Sequence, residues 1–397
     1  MIDLLTYTSL YPNSVQTRHG IFIENRIRKL LDSNKISTNV LAPVPWFPVQ
    51  SRLFGDYGKY ARVPKKEQRH GIEVWHPRYP VIPKIGMNLA PGLMATSTYR
   101  SARALLTNKP FRLIDAHYFY PDGVAASLLG KWLNIPVVIS ARGTDINLLP
   151  DYRLPRSMII WAARQAAAII TVSQSLKERL MNLGISEQKI TVLPNGVDRQ
   201  LFQPGNRLSL REQHQFTRPT LLYVGNLIPL KGVDIILHAL ADLPEFDCIV
   251  IGDGSEKNRL EKLATSLQVS NRVHFINTLS QSELVDYYTM ADILLLPSSR
   301  EGYANVLLEA LSCGTPVIAT AVGGNPDIIT SASAGLLIDE RSPDSLKTAI
   351  KKLYSNMPAI HNVTNYAQRF SWFPTIEQQI NLYQSTISKH GFQNVQG

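Results

Sequence analysis

The sequence predicts an α/β fold with two domains, each a parallel β-sheet covered by helices. Short apolar runs such as "RLIDAHY", "PVVISAR" and "AIITVS" alternate with amphipathic helical stretches along the chain. A segment rich in Pro, Gly and Asn near residues 195–217 interrupts this alternation, which then restarts with "TLLYVGNL" and "DCIVIGDG". Strands alternating with helices are typical of parallel sheets. A length of 397 residues suits two such domains.

The composition is that of an ordinary globular protein. Hydrophobic residues make up 44% and charged residues 18% of the chain. Cys248 and Cys313 lie in apolar stretches without a metal-ligand spacing, so we interpret them as reduced core thiols. The N-terminus lacks the basic and apolar regions of a signal peptide, and we expect no membrane span and a cytoplasmic protein.

The positive charge of the chain is concentrated in its first half. Residues 1–195 carry 25 basic and 12 acidic side chains, whereas residues 196–397 carry 16 and 19. This imbalance indicates an anionic partner for the first half. A membrane surface and a phosphate-bearing lipid both fit. Nucleic acid fits the charge alone, since no nucleic-acid-binding module is visible.

One stretch of the first half departs from the strand–helix alternation. Residues 43–92 are rich in Pro and show little periodicity, which predicts a long functional or disordered loop. Its aromatic and basic residues suit a membrane interface. A solvated loop with a few packed aromatic rings is the alternative. The residues concerned are Trp46, Phe47, Phe54, Tyr57, Tyr60, Arg52, Lys59, Arg62, Lys65 and Lys66.

The most informative segment of the second half is "PSSREGYANVLLEALSCGTPVIATAVGGNPDII", residues 297–329. It predicts a strand, a Gly-containing loop and a helix, an arrangement that binds anions at the helix N-terminus. Glu301 lies in the loop and faces the expected ligand. Glu309, eight residues later, lies two turns into the helix and can accept hydrogen bonds from a sugar diol. An ordinary helix residue is the alternative for Glu309.

Two further segments predict phosphate-binding loops. In "YVGNLIPLKGVD", Gly225 ends a strand, and Lys231 precedes a helix whose N-terminus can hold a diphosphate. In "VIGDGSEKNRLEKLA", Gly252 and Gly254 form a tight turn that permits close backbone approach. Each motif alone is weak evidence, and Lys231 could be a surface residue.

Taken together, these segments resemble the family-4 retaining glycosyltransferases of GT-B fold. The matching pieces include "KITVLPNGVDRQLF" and "RFSW" besides those quoted above. The resemblance implies two Rossmann-like domains facing across a cleft, at residues 1–195 and 196–372. It also implies a C-terminal helix at about 375–390 that crosses back to the first domain.

The resemblance implies a role for each donor-side residue. Glu301 would contact the donor sugar near the reacting carbon, Glu309 the nucleotide ribose and Lys231 the diphosphate. The predicted donor site comprises Gly225, Asn226, Lys231, Gly252, Gly254, Gly302, Tyr303, Ala304, Asn305 and Glu309.

Two positions depart from the family pattern. Asn226 stands where the family often has an Arg beside the diphosphate, so neutralisation would fall to Lys231, the helix dipole or Arg300. In "SARGTDIN", Arg142 stands where the family commonly has a His that faces the donor sugar. Gly143, Thr144 and Asp145 follow it directly. Arg142 could bind the donor or an acceptor phosphate, but it cannot act as a base at neutral pH.

The remaining candidates lie on the acceptor side. His117 ends a predicted strand and is expected either to orient the acceptor hydroxyl or to be a satisfied structural residue. Gly20 matches the glycine-bearing first loop of the family. Arg18 and His19, next to it, are candidate acceptor contacts or solvated loop residues. Asp145, in the loop after the next predicted strand, is a further candidate on the acceptor side.

The predicted function is transfer of a sugar from a nucleotide-diphosphate donor, with retention of configuration. Glu301, His117 and Arg142 are the candidate catalytic residues. No Asp-x-Asp lies beside the donor motifs, so we expect no cofactor and no obligatory metal. The acceptor is expected to be a lipid-linked glycan of bacterial surface polysaccharide synthesis, met at the inner membrane face. A nucleotide-sugar 2-epimerase of the same fold and a non-catalytic nucleotide-sugar-binding protein are the alternatives.

Overall fold

The computed structural model describes residues 1–47, 56–81 and 86–395. The chain divides into two compact units, one formed by residues 1–194 together with 373–397, the other by residues 195–372. Arg52 and Phe54 of the predicted membrane-facing loop lie outside the described residues, as does the side chain of Tyr57.

The first unit is built on a doubly wound sheet. Its described strands follow the order β10-β9-β8-β7-β1-β2-β5-β4, parallel except for β4, while β3 and β6 pair separately. The strands are β1 (Ile2–Tyr7), β2 (Ile36–Leu41), β3 (Val44–Trp46), β4 (Lys66–Arg69), β5 (Ile72–Trp75), β6 (Arg78–Pro80), β7 (Leu113–His117), β8 (Val137–Ala141), β9 (Ala168–Thr171) and β10 (Ile190–Val192). Read in the opposite direction, the six strands β5-β2-β1-β7-β8-β9 have the 3-2-1-4-5-6 order of dinucleotide-binding folds.

Helices cover this sheet because their apolar residues recur at helical spacing. In α1, Ile23, Ile27 and Leu30 form one buried stripe. The helices of this part of the chain are α1 (Ile21–Asp32), α2 (Asp56–Arg62), α3 (Gly86–Asn108), α4 (Val124–Leu133), α5 (Thr144–Asn147), α6 (Arg153–Gln165) and α7 (Gln174–Asn182).

The expectation of an irregular loop over residues 43–92 is wrong for most of the described part. Strands β3 to β6 and helix α2 lie within it. Strands β4 and β5 form a hairpin whose two turn residues, His70 and Gly71, both have positive φ. Such a two-residue turn matches the twist of the strands it joins. Ile72 and Val74 then alternate inward and extend the sheet beside β2.

The second unit has the same winding. Its described strands follow the order β13-β12-β11-β14-β15-β16, all parallel. The strands are β11 (Thr220–Val224), β12 (Asp247–Ile251), β13 (Val273–Ile276), β14 (Ile293–Leu296), β15 (Val317–Thr320) and β16 (Gly335–Ile338). The helices are α8 (Arg207–Gln213), α9 (Val233–Ala241), α10 (Lys257–Ser266), α11 (Gln281–Met290), α12 (Asn305–Ser312), α13 (Asn325–Ile328), α14 (Pro343–Ser355) and α15 (Ile360–Ala367). The central strands β11 and β14 are fully buried, as expected of a parallel sheet covered on both faces.

The segment predicted as a linker near residues 195–217 belongs to the second unit. The side chain of Asn206 caps helix α8 by accepting a hydrogen bond from Ser209. Arg207 and Arg211 of this helix both pair with Asp292, at the start of β14. The helix was missed because its seven residues are too few to show a clear hydrophobic period.

The last helix, α16 (Trp372–Val395), completes the first unit. Arg26 of α1 is fully buried there, and its Nε donates to Oε1 of Gln379 at 2.7 Å. A second Arg26 nitrogen, Nη1, donates to the carbonyl oxygen of Leu193 at 3.0 Å. A buried guanidinium needs such acceptors, so α16 is a required part of this core.

Two expectations concern the interior and the membrane. Cys248 and Cys313 are both buried and free, as predicted. Within the described residues, none of the helices combines the length and the apolar character that crossing a membrane would require.

Candidate active site

Both sheets have a switch point, where neighbouring strands lead to helices on opposite faces. In the second unit it lies between β11 and β14, and in the first between β1 and β7. Ligands of open α/β sheets bind beyond the carboxyl ends of the strands at such points. The predicted donor residues follow β11, β12 and β14, and the predicted acceptor residues follow β1, β7 and β8.

The glycines after β11 and β12 pack one loop against the other. A Cβ on Gly252 would lie 1.9 Å from the carbonyl oxygen of Gly225. A Cβ on Gly254 would lie 2.2 Å from that of Leu227. At Gly252 and Gly254, the predicted close backbone approach is therefore seen between this loop and the backbone of the neighbouring loop.

Glycines also fix the loop of residues 297–304, which carries Glu301. Gly232 has φ +73°, and a Cβ there would lie 2.3 Å from the carbonyl oxygen of Pro297. Gly323 has φ +57°, and its Cβ would lie 2.1 Å from the carbonyl oxygen of Glu301. Only glycine adopts these conformations without strain and also leaves room for the loop.

Arg341, which the sequence did not single out, joins two of these loops. Its Nε donates to the carbonyl oxygen of Pro297 at 2.8 Å, and its Nη2 donates to that of Pro229 at 3.0 Å. Pro297 follows β14 and Pro229 precedes Lys231. The guanidinium therefore holds both sides of the switch point together.

Lys231 and Glu301 form an ion pair at the switch point. Nζ of Lys231 lies 2.5 Å from Oε1 of Glu301, and the two side chains are 20% and 10% exposed. The hydroxyl group of Tyr223 donates to the carbonyl oxygen of Asn226 at 2.9 Å. Burial and the negative charge of Glu301 both raise the pKa of Tyr223. The predicted catalytic carboxylate and the predicted diphosphate ligand therefore lie side by side.

Glu309 is buried in the second turn of α12. Its Oε2 accepts a hydrogen bond from the Tyr288 hydroxyl at 2.7 Å, and Nε2 of Gln281 lies 3.5 Å from Oε1. Burial raises the pKa of Glu309, and these two donors oppose that rise. Among the described residues, Oε2 of Glu309 thus has a hydrogen-bond partner at 2.7 Å, whereas the partner of Oε1 lies at 3.5 Å. Tyr288 and Gln281 lie on α11, and no sequence motif pointed to them.

The N-terminus of α12 lies directly after the Glu301 loop. Ala304 is its N-cap residue, and no side chain among the described residues caps the helix. Gly302, Tyr303 and Ala304 lead into it, and Oδ1 of Asn305 accepts from Nδ2 of Asn195 at 3.0 Å. Backbone N–H groups of an uncapped first turn are available to an anion.

Asn226, the departure on the donor side, and Arg300, a candidate for neutralising the diphosphate, lie in different surroundings. Asn226 is exposed, and its carbonyl group accepts from Tyr223 and from the Ile228 N–H. Arg300, half-buried, precedes Glu301 in the same loop. Lys231, Arg300 and Arg341 therefore supply positive charge at the carboxyl ends of β11 and β14. Arg341 does so while bonded to the loops that follow both strands.

His117 lies at the carboxyl end of β7 but is fully buried. Its Nε2 donates to Oδ2 of Asp115 at 2.9 Å, and its Nδ1 accepts from Nη2 of Arg142. Burial and the charge of Arg142 lower the pKa of His117, against the effect of Asp115, so the ring is neutral at pH 7. Both ring nitrogens are engaged within the protein. The ring of His117 is thus held between Asp115 and Arg142, and its part in orienting an acceptor hydroxyl stays a prediction.

Arg142 and Asp145 shape the loop after β8. Asp145 accepts hydrogen bonds from the backbone N–H groups of Gly143 at 2.7 Å, Phe119 at 2.7 Å and Arg142 at 3.1 Å. Burial raises the pKa of Asp145, and these bonds oppose the rise. Asp145 therefore joins the loops after β7 and β8, and its contact with an acceptor stays a prediction. Arg142 keeps 8% of its surface exposed.

The first loop connects β1 to α1. Gly20, with φ +71°, is the N-cap of α1, and a Cβ there would lie 2.1 Å from the carbonyl oxygen of Leu10. Arg18 is exposed and His19 half-buried. Asp122 holds the start of this loop by accepting from the backbone N–H and the hydroxyl group of Ser9. The loop is thereby fixed at the switch point of the first unit.

Comparisons with known proteins agree with this architecture. The model of "Glycosyltransferase Family 4" matches residues 44–201, and that of "Glycosyl transferases group 1" matches residues 206–370. A D-inositol 3-phosphate glycosyltransferase of Mycolicibacterium smegmatis is 32% identical over 328 residues, 76% of this chain and 74% of that protein. TuaC of Bacillus subtilis (strain 168), named for teichuronic acid biosynthesis, is 29% identical over 367 residues, 88% and 89% of the two chains.

Solved structures with the same fold are more distant in sequence. Sucrose-phosphate synthase from Thermosynechococcus elongatus superposes with a TM-score of 0.79 at 18% identity, covering 98% of this chain and 100% of that one. HepE from Anabaena, in complex with UDP, gives 0.73 at 19% identity, with 97% and 100% covered.

The two doubly wound units and the family matches define an enzyme, a glycosyltransferase of GT-B fold. The predicted α/β fold with two Rossmann-like units is confirmed. The chain belongs to glycosyltransferase family 4.

Asp122 makes the stability of the protein depend on pH. Burial raises the pKa of the Asp122 carboxyl group to about 7 in the folded chain, whereas an unfolded Asp titrates at about 3.9. Between these two values, the free energy of unfolding falls by about 1.4 kcal/mol for each pH unit. The contribution of Asp122 is complete below about pH 4 and is lost as the pH rises through about 7. We expect urea unfolding to show wild type losing stability relative to Asp122→Asn between about pH 5 and pH 7.5. Parallel pH dependence of the two proteins would contradict this.

Proposed function

We propose that this enzyme transfers a sugar from a nucleoside-diphosphate sugar to a hydroxyl group of a glycan acceptor, with retention of anomeric configuration. One observation carries the proposal. Lys231, Glu301 and the uncapped N-terminus of α12 meet at the switch point of the second unit. A cation, a carboxylate and a row of backbone N–H groups suit a diphosphate bonded to a sugar.

The donor would bind across the loops after β11 and β14. The diphosphate lies against the N-terminus of α12, with Lys231 as its point charge. Glu309 accepts hydrogen bonds from the ribose through Oε1, whose partner among the described residues is Nε2 of Gln281 at 3.5 Å. Tyr288 holds the other oxygen and so fixes the direction of the carboxylate.

The reaction breaks the bond between the anomeric carbon and the diphosphate oxygen. The acceptor hydroxyl oxygen bonds to the same carbon from the same face, and its proton passes to the departing diphosphate. Glu301 stabilises the positive charge that develops at the anomeric centre, and Lys231 stabilises the negative charge that develops on the leaving group. The rest of the catalysis is positioning of the two substrates.

We propose that no metal ion is obligatory. The donor motifs contain no Asp-x-Asp, which would supply metal-binding carboxylates. Lys231, Arg300 and the dipole of α12 supply positive charge where a metal would otherwise do so.

The acceptor is proposed to be a lipid-linked glycan of bacterial surface polysaccharide synthesis, met at the inner face of the membrane. The similarity to TuaC over 88% of this chain supports this class of acceptor. Trp46 is 54% exposed on β3, and Lys59, Arg62, Lys65 and Lys66 are exposed nearby in sequence. An exposed indole ring and exposed basic side chains in one segment of the chain suit an anionic lipid interface.

Donor binding can be measured as a shift in melting temperature with UDP-, GDP-, ADP- and dTDP-sugars. We expect one nucleotide to raise the melting temperature of the wild-type protein and to raise that of Lys231→Ala and Glu309→Ala much less. The reason is that one variant loses the diphosphate cation and the other the ribose acceptor.

Glu261→Ala and Lys262→Ala are matched controls, since both residues are exposed on α10 of the same unit. They should respond to the nucleotide sugar as wild type does. A donor-site assignment would be untenable if no nucleotide sugar stabilised the protein, or if the site variants responded like these controls.

The stereochemistry and the metal requirement can be read from one assay. With the donor found above, proton NMR of the product formed on a glycan acceptor should show the anomeric configuration of the donor. The rate should persist in EDTA. An inverted product would exclude the proposed same-face mechanism, and full loss of activity in EDTA, restored by a divalent cation, would exclude the metal-free one.

Membrane contact can be measured by sedimentation with lipid vesicles. The protein should bind phosphatidylglycerol vesicles and not phosphatidylcholine vesicles, and salt should weaken the binding. Trp46→Ala and the pair Lys65→Gln, Lys66→Gln should each reduce it. Leu208→Ala, an exposed apolar residue of the second unit, should not. Equal binding by all variants would remove this surface from the proposal.

A further inference from the structure

A series of interacting buried polar groups runs from the C-terminal helix α16 to the carboxyl ends of β7 and β8 in the first sheet. Tyr383 of α16 is fully buried, and its hydroxyl group faces the carboxylate of Asp115 on β7. Asp115 accepts from Nε2 of His117, whose Nδ1 accepts from Nη2 of Arg142. Gln379, one turn before Tyr383, donates to the same hydroxyl group.

This arrangement fixes the protonation of His117. Burial raises the pKa of Asp115, but the interactions with His117, the Tyr383 hydroxyl and Arg142 outweigh this effect and lower it, so the carboxyl group is ionised. An ionised carboxylate only accepts, and a guanidinium only donates. His117 therefore carries its proton on Nε2 and presents a lone pair at Nδ1. That lone pair holds the Arg142 guanidinium in one orientation.

Arg142 is the last group of this series and lies where a ligand of the first unit would bind. It directly follows β8, and Asp145 fixes its backbone N–H. Burial lowers its pKa to about 10, so it stays charged at neutral pH. A planar, oriented guanidinium suits the oxygen atoms of a phosphate group.

We propose that Arg142 binds a phosphate group of a substrate, and that Asp115, His117 and Tyr383 are the positioning residues that aim it. The proposal rests on the proposed function for the identity of that substrate, which carries the phosphate either in the donor diphosphate or in the acceptor. The positioning residues act through Arg142 and contact no substrate themselves.

A matched control is present in the other unit. Arg272 is 9% exposed, close to the value for Arg142, and its guanidinium donates to the carbonyl oxygens of Leu240, Leu243 and Phe246, at and just after the end of α9. It directly precedes β13 and so lies at the amino ends of the strands, away from the edge where ligands bind. Arg272 is thus a structural arginine of equal burial.

The test follows the side-chain Nε–H resonances of both arginines by NMR, in full-length protein labelled with [15N]arginine. The resonance of Arg142 is identified by its absence in Arg142→Gln. Inorganic phosphate and pyrophosphate are the probes. At least one should shift the Arg142 resonance to saturation and leave that of Arg272 in place. If neither ion moves the Arg142 resonance more than that of Arg272, phosphate binding by Arg142 is excluded.

Variants that retain Arg142 test the positioning residues. A glutamine amide can accept from Arg142 and donate to Asp115, so His117→Gln should keep affinity for the shifting ion near that of wild type. His117→Leu should weaken it by about ten- to a hundredfold, the loss of one hydrogen bond to a charged group. Tyr383→Phe, which removes a single hydroxyl group, should weaken it in the same direction, and it remains informative if His117→Leu does not fold. Equal affinity in wild type, Tyr383→Phe and the folded His117 variants would refute the positioning role.

The source of the phosphate is distinguished by adding a saturating nucleotide sugar that stabilises the protein. If it displaces the probe ion and shifts Arg142 itself, the donor diphosphate is the ligand. If the ion still binds, the phosphate belongs to the acceptor. Should no nucleotide sugar bind, the proposed function fails while the response of Arg142 to phosphate can still be read, so the two failures are distinguishable.

Discussion

Backbone packed directly on backbone is the constraint on which the donor half depends. The loop that carries Glu301 passes between Gly232 and Gly323, each of which would place a Cβ less than 2.5 Å from a carbonyl oxygen of that loop. Arg341 then bonds to the same loop from the side. Because these contacts involve main-chain atoms, the position of Glu301 does not depend on the packing of flexible side chains. The ion pair with Lys231 and the start of α12 follow from that fixed path.

The charged groups at the carboxyl ends of the two sheets lie in different surroundings. In the second, Lys231 and Glu301 are partly exposed and neutralise one another at the edge of the sheet. In the first, two arginines, Arg26 and Arg142, are taken into the interior, where acceptors from several elements surround them. Exposed pairs contribute little to stability, whereas a buried charge must have partners. A substitution at Arg26 or Arg142 would therefore leave acceptors on other elements without their donor.

The sequence predicted what depends on local pattern. The alternation of apolar runs gave both sheets, and strand–glycine–helix segments located Lys231, Glu301 and the start of α12. It failed where structure depends on distant partners. Tyr288 was unremarkable until α11 was seen to lie beside Glu309, and nothing local marks Arg341. The His70–Gly71 hairpin was a different failure, because its turn residues were visible in the sequence and were overlooked.

His117 shows why a residue type does not reveal a role. A His at the end of a strand could have served as a base, and only its burial between Asp115 and Arg142 assigns both ring nitrogens. The same holds for Asp145, whose oxygens turn out to be occupied by backbone N–H groups. Each of these roles depends in part on a neighbour that is 25 or more residues away in the chain, Arg142 for His117 and Phe119 for Asp145.

The discontinuous first unit has a consequence for the order in which the protein forms on the ribosome. Its core contains residues from both ends of the chain, and the buried guanidinium of Arg26 has an acceptor in Gln379. The second unit, by contrast, is one continuous segment, residues 195–372. The half of the molecule that is synthesised first therefore cannot be finished until the final helix has left the exit tunnel. The later-made half has its whole sequence available sooner and can complete its fold before the earlier one.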